Sequence, residues 1–191
     1  MEAVLPGFVG RLLAQSRDPS HIPDITVLAA SDWLSPLASR VLHLLDTGTY
    51  RATESFLAHG YAYLPLKTPE ECTVYLRVSD TRALTFWPVH APTAVLNMAG
   101  TTVMEMYREP DDEQEGRPQY ARTLGAGEFF AAHPGTLCAT GGTVSTVQVL
   151  ATSEPVTDRE GLLSGEAYAA FTRRGRRYLE QASRTPVGAP C

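Results

Sequence analysis

"GEFFAAHPGTLC", residues 127–138, is the stretch whose reading decides the fold. Glu128–Ala132 is a short run rich in apolar and aromatic residues, opened by Gly127 and closed by the turn residues Pro134 and Gly135. Short runs between Gly and Pro turns are the pattern of an antiparallel sandwich or barrel. Its neighbours repeat the pattern: CTVYLRVS (72–79), ALTFWPV (83–89), TAVLNMAG (93–100), TTVMEMY (101–107) and TVSTVQVLAT (143–152) are short and rich in Val, Thr and aromatics. The acidic stretch REPDDEQEGRPQ (108–119) interrupts them as an exposed loop. About seven strands are expected in all.

Outside this region the texture is helical. In SDWLSPLASRVLHLLDTG (31–48), Leu34, Leu37, Val41, Leu44 and Leu45 follow helical spacing, with Ser31 as N-cap, Asp32 in the first turn and Gly48 as the stop. A second helix is expected over about 49–58, ending at Gly60, and an earlier one around 8–15. After Pro155, Ser164 can cap a helix whose apolar contacts are Tyr168, Phe171, Tyr178 and Leu179, with Gly175 weakening it. The layout is therefore a helical segment (1–60) packed on a barrel (61–155), then a C-terminal helix and tail (156–191), in one domain. At 191 residues the chain is long enough to bury a core without staples.

Composition narrows the partners. A net charge of −5 argues against nucleic acid, and Arg173, Arg174, Arg176 and Arg177 read as a solvated helix face. Cys72, Cys138 and Cys191 are widely spaced and form neither a disulfide framework nor a zinc knuckle. No apolar stretch approaches the ~20 residues of a membrane span, and the N-terminus lacks the pattern of a signal peptide. The expectation is a cytoplasmic protein that binds a small molecule and neither nucleic acid nor membrane.

Gly127, Gly135 and Gly100 are spaced as in the two motifs of the cupin superfamily, which the chain resembles. The helices before the barrel and the hydrophilic insertion between the motifs are similar to its cysteine dioxygenase (thiol dioxygenase) branch. The resemblance implies a mainly β fold, a cupin-like jelly-roll β-barrel with N- and C-terminal helices, and a homodimer as the family expectation. It also implies metal ligands, but Phe86 and Pro88 fall on the paired-histidine places and Cys138 on the third. His133 takes the place of the motif proline. The branch's barrel tyrosine has no counterpart, and an arginine gripping a substrate carboxylate would correspond to Arg51.

No cofactor is therefore expected. The alternative is Fe2+ held by His90, His133, Cys138 and Glu105 through a slipped register. On 73–78, Tyr75 and Arg77 alternate with Val74, Leu76 and Val78. Either the apolar face is core and Arg77 is solvated, or Tyr75 and Arg77 point into the barrel beneath helices packed outside. An inward arginine would need an anionic ligand or a carboxylate. Glu105 and Asn97 read as exposed strand residues or as pocket groups, and Cys138 as packing or as chemistry.

The favoured function is a metal-independent enzyme of isomerase, cyclase or lyase type. In it His90, Glu105 or Cys138 move protons, and Tyr75, Arg77, Phe86, Asn97 and His133 hold an anionic substrate. The alternatives are a divergent iron dioxygenase, and a non-catalytic binding module with Phe86 filling the metal place.

Overall fold

The computed structural model describes residues 30–46, 54–66, 73–79, 84–107, 117–142, 146–163 and 165–184. Two helices, α1 (Ala30–Asp46) and α2 (Gly165–Ser183), flank the strands. In chain order the strands are β1 (Phe56–Ala58), β2 (Tyr61–Leu66), β3 (Thr73–Ser79), β4 (Thr85–Pro88), β5 (Thr93–Ala99) and β6 (Thr102–Tyr107). Then follow β7 (Tyr120–Leu124), β8 (Phe129–Ala132), β9 (Leu137–Gly142), β10 (Thr146–Thr152) and β11 (Gly161–Leu162).

They form a seven-stranded sheet in the order β11-β1-β2-β3-β10-β5-β8 and a four-stranded sheet in the order β4-β9-β6-β7. Every pairing is antiparallel. Two facing sheets with this non-sequential order make the jelly-roll barrel that the cupin resemblance implies. The turn glycines of the quoted stretch explain its legibility. Gly127 and Gly135 adopt φ of 86° and 85°, which glycine takes without the Cβ penalty.

The larger sheet is buried on both faces, because each strand alternates its side chains. Leu64, Leu76, Val78, Leu96, Val147 and Val149 face outward into a core shared with Leu37, Val41 and Leu45 of α1 and Leu179 of α2. Each such side chain contributes roughly 1.5–3 kcal/mol on burial. The opposite face, with Phe56, Tyr61, Tyr63, Tyr75, Val95 and Leu150, meets Trp87, Met104, Met106 and Cys138 of the smaller sheet inside the barrel.

Several boundaries differ from those expected. Phe56–Ala58 is strand, not helix, because it pairs with both β2 and β11. The barrel thus begins before Tyr61 and closes after Pro155. Thr140–Gly142, despite two consecutive glycines, lie in β9 opposite Met104, Val103 and Thr102. Tyr61–Leu66, Tyr120–Leu124 and Leu137–Gly142 are strands that composition did not single out. Helix α1 is already helical at Ala30, so Ser31 is not its N-cap. The helix expected around 8–15, Ser164, and the side chains of Leu34 and Leu44 lie outside the described residues.

Gly175 has a packing role that propensity alone hides. A Cβ there would stand 3.2 Å from Val78 Cγ2 and 3.4 Å from Leu76 Cδ2, so its absence lets α2 lie close on the sheet. Gly175→Leu should therefore destabilise the fold by about 1–3 kcal/mol in urea unfolding. An unchanged midpoint would mean that this contact does not set the helix–sheet spacing.

Candidate functional site

A polar row crosses the inside of the larger sheet. Arg77 stands opposite Tyr63 on one side and Gln148 on the other, and Gln148 stands opposite Asn97. Arg77 is 0% exposed and, with Tyr75, points into the barrel. Its guanidinium lies 3.9 Å from the Tyr61 ring centroid and 5.3 Å from that of Trp87. Nη1 donates to Tyr63 Oη at 3.4 Å and Nη2 to Thr140 Oγ1 at 3.3 Å, both long. Nε has no partner among the described residues. Burial raises the Tyr63 pKa above its ordinary 10.0, and the neighbouring Arg77 charge opposes that rise.

Asn97 is fully buried in the same row, its amide donating to the carbonyls of Gly100 and Leu124. It is thus an inward-facing, buried residue and not an exposed one. Tyr75 is also interior, and its hydroxyl accepts from the Val156 N–H at 3.3 Å.

The smaller sheet corrects the register drawn from the cupin motif. Trp87 and Val89 point into the barrel, while Phe86 is 38% exposed on the outside, against Tyr107. A shift of one residue moves every side chain of a strand to the other face. Trp87, not Phe86, therefore fills the interior beside Cys138, its cross-strand partner. Glu105 is likewise on the outer face, where it accepts the Tyr107 hydroxyl, because Met104 and Met106 take the inner positions. Phe86 and Glu105 are thus separated from Arg77 by the sheet itself.

Cys138 is 0% exposed, and burial pushes its thiol pKa up to about 12, with Arg77 pulling weakly the other way. At neutral pH it is a protonated packing group. Cys72 and Cys191 lie outside the described residues.

A cleft of about 70 Å³ opens at the barrel mouth between Tyr63, Trp87 and Leu150 below and the segment 154–158 above. His59, His90 and Asp158 also line it. Asp158 Oδ2 lies 3.1 Å from His90 Nε2 and 3.9 Å from His59 Nε2. His59 is held in a left-handed turn at φ 51°, with its N–H donating to Glu160 Oε1 at 2.6 Å. Burial, then the Arg77 charge and more weakly His90, lower the His59 pKa below 6.5, while Asp158 and Glu160 oppose the shift. His90 is exposed at the mouth.

His133 is half-buried, and its carbonyl accepts the Thr136 N–H in the turn after β8. It does not line the cleft. His90 at the mouth, Cys138 inside, Glu105 outside and His133 in its turn do not converge, so the proposed iron ligand set does not fit this geometry. Among the described residues no group of three His, Cys, Asp or Glu is placed to hold a metal. The residues missed in the sequence are His59, Asp158, Gln148 and Thr140. Strand alternation flagged Arg77, but nothing local joins it to β9 or β10.

No family model matches the chain, and no curated protein matches it. An RmlC-like cupin from Shewanella frigidimarina is similar in structure, with TM-score 0.44 and 14% identity over 56% of this chain and 87% of that one. The CENP-C cumin domain of Drosophila melanogaster gives TM-score 0.42 and 13% identity, over 50% and 69% respectively. A cupin superfamily protein from Desulfitobacterium hafniense gives 0.39 and 11%, over 49% and 76%. Likenesses of this size assign no role to any residue here.

Two measurements check the site. Cys138 should resist iodoacetamide at pH 8 in the folded protein and react in urea, read by peptide mass spectrometry. Native labelling of Cys138 would contradict its enclosure. For His59, the folded pKa lies below the unfolded 6.5, so the unfolded chain binds more protons as pH falls. The stability this group contributes is complete above that value and declines below it, towards the folded pKa. His59→Asn, which tolerates the left-handed turn, should flatten the loss of stability between about pH 7.5 and 5.5. An unaltered slope would show that His59 is solvated in the native state.

Proposed function

We propose that this protein is a cupin-like barrel that binds a small anionic molecule, with Arg77 as the residue that holds the charge. The observation that carries this reading is a guanidinium at 0% exposure with no carboxylate against it among the described residues. Enclosing an ion costs several kcal/mol even after relaxation. The ring contact with Tyr61 returns about 2 kcal/mol when desolvated and the longer ones with Trp87 and Tyr63 return less, and two long neutral hydrogen bonds return little. An anion would supply the missing compensation.

The chemistry best supported around such a ligand is metal-independent proton transfer, as in an isomerase, cyclase or lyase. His59 is kept neutral near pH 7 and can accept a proton at the cleft. Asp158 beside it would stabilise the imidazolium, and His90 shares the same carboxylate oxygen. This moves the proton-transfer role from Glu105 and Cys138 to the mouth histidines. The finer likeness to the thiol dioxygenase branch adds no group, since the inward positions near its first-motif ligand places are Trp87 and Val89.

A second reading rests on size. The cleft of about 70 Å³ is well below the ~300 Å³ at which drug-sized ligands are held. Tyr61, Tyr63, Phe56, Trp87 and Phe130 fill the interior. That favours either a ligand of a few heavy atoms or a non-catalytic module with a packed barrel.

Arg77→Met separates these. If Arg77 serves a ligand, the variant should be as stable as wild type or more so, since a buried ion replaced by an apolar side chain of similar size is often neutral or stabilising by about 1–4 kcal/mol. It should also lose any stabilisation that wild type gains from millimolar acetate or glycolate. A loss of about 3–5 kcal/mol in ligand-free Arg77→Met, with no carboxylate effect on wild type, would make Arg77 a structural cation in an aromatic cage.

A further inference from the structure

The hydrogen bonds around Gln148 fix which way its amide points. Asn97 Nδ2 donates to the Gly100 carbonyl at 2.8 Å and the Leu124 carbonyl at 3.3 Å, so Asn97 Oδ1 must be an acceptor. Thr102 Oγ1 donates its one proton to that oxygen at 3.2 Å. Thr102 Oγ1 is then left to accept, and it does so from Gln148 Nε2 at 2.9 Å. The chain of donors has a single direction, and it ends with Gln148 Oε1 as an obligate acceptor. That oxygen is buried, in a residue 0% exposed, and has no donor among the described residues.

Directly across the β3–β10 ladder stands Arg77, whose Nε is a donor without an acceptor. It cannot lose its proton to escape the mismatch. Tyr61 Oη and Thr146 Oγ1, on the same inner face, also lack partners. An obligate donor carrying a charge and an obligate acceptor thus lie side by side, and they do not satisfy one another. A bare anion answers Arg77 and leaves Gln148 Oε1 facing negative charge. An amino acid answers Gln148 but sets an ammonium beside the guanidinium. A carboxylate with a hydroxyl on the adjacent carbon answers both.

We propose that the barrel recognises a small 2-hydroxycarboxylate, its carboxylate taken by Arg77 Nε and its hydroxyl donating to Gln148 Oε1. This rests on the anion-binding reading and deepens it. Neither Arg77 nor Gln148 lines the mouth cleft; both are 0% exposed beyond Tyr63 and Trp87, whose rings Arg77 contacts, so this enclosed pair takes a ligand of a few heavy atoms at most. A single buried water could also bridge donor and acceptor, though it would leave the Arg77 charge uncompensated.

Acetate and glycolate are the probes, because they share a charge and differ by the hydroxyl. Binding is read by titration of the Arg77 Nε–H and Gln148 amide resonances in 15N NMR, with folding checked by circular dichroism. Wild type should bind glycolate about tenfold or more tightly than acetate, because acetate leaves the buried oxygen unpaired. Gln148→Leu should shrink that ratio to about threefold or less. Gln148→Glu places a carboxylate opposite Arg77, and should raise the thermal midpoint and abolish binding of both probes. If Gln148→Leu does not fold, the wild-type ratio and Gln148→Glu decide alone. Equal binding of the two probes, lost in Arg77→Met, would leave anion binding standing and overturn the hydroxy-acid assignment. Binding of neither probe would overturn both and leave a bridging water as the occupant.

Discussion

A guanidinium enclosed in a barrel is the constraint around which this molecule is arranged. Arg77 can sit inside only because the other face of its strand has an apolar place to go. Val74, Leu76 and Val78 are buried under the helices, which leaves Tyr75 and Arg77 no solvent face. In a one-layer sheet the same alternation would put Arg77 in water. The helices are thus part of the site: by covering the sheet from outside they turn its polar row inward.

The charge reaches beyond its own contacts. Arg77 lies close enough to the mouth to help hold His59 neutral, and close enough to Cys138 to oppose the rise of its thiol pKa. Tyr63 and Trp87 connect the two levels, since both line the cleft and both present rings to Arg77. The segment 154–158 closes the cleft from above, and contacts within it and just after it hold it in place. Val156 donates to Tyr75, Arg159 lies 4.6 Å from the Phe56 ring centroid, and Glu160 and Asp158 meet His59. On the proposed reading, an anion bound at Arg77 would weaken the positive field at His59 and raise its basicity without any change of shape.

The cysteine at the end of the quoted stretch is an enclosed packing group. The glycines of that turn are set by backbone conformation and do not depend on what the last residue binds. Cys138 sits between Trp87 and Met106, two large apolar partners whose contacts are those of a small hydrophobe.

Much was legible in the sequence because it is local. The turn glycines, the alternation of the central strands and the leucine stripe of α1 each depend on neighbours within a few residues, and together they determined a helix-flanked antiparallel barrel. Short strands with mixed composition, such as Tyr120–Leu124 and the glycine-containing Leu137–Gly142, were not legible, because their strand state comes from pairing partners far along the chain. The inward face of β4 was misjudged for a related reason. Spacing counted from Gly100 fixes a position along the strand to within one residue, and one residue is the whole difference between Phe86 outside and Trp87 inside. For Arg77 the sequence offered two faces, and only the helix layer chose between them. His59 with Asp158, and Arg77 with Gln148, are joined by neither motif nor period. Tertiary structure alone decided those pairs, because hydrogen-bond direction and charge proximity exist only once distant strands are in register.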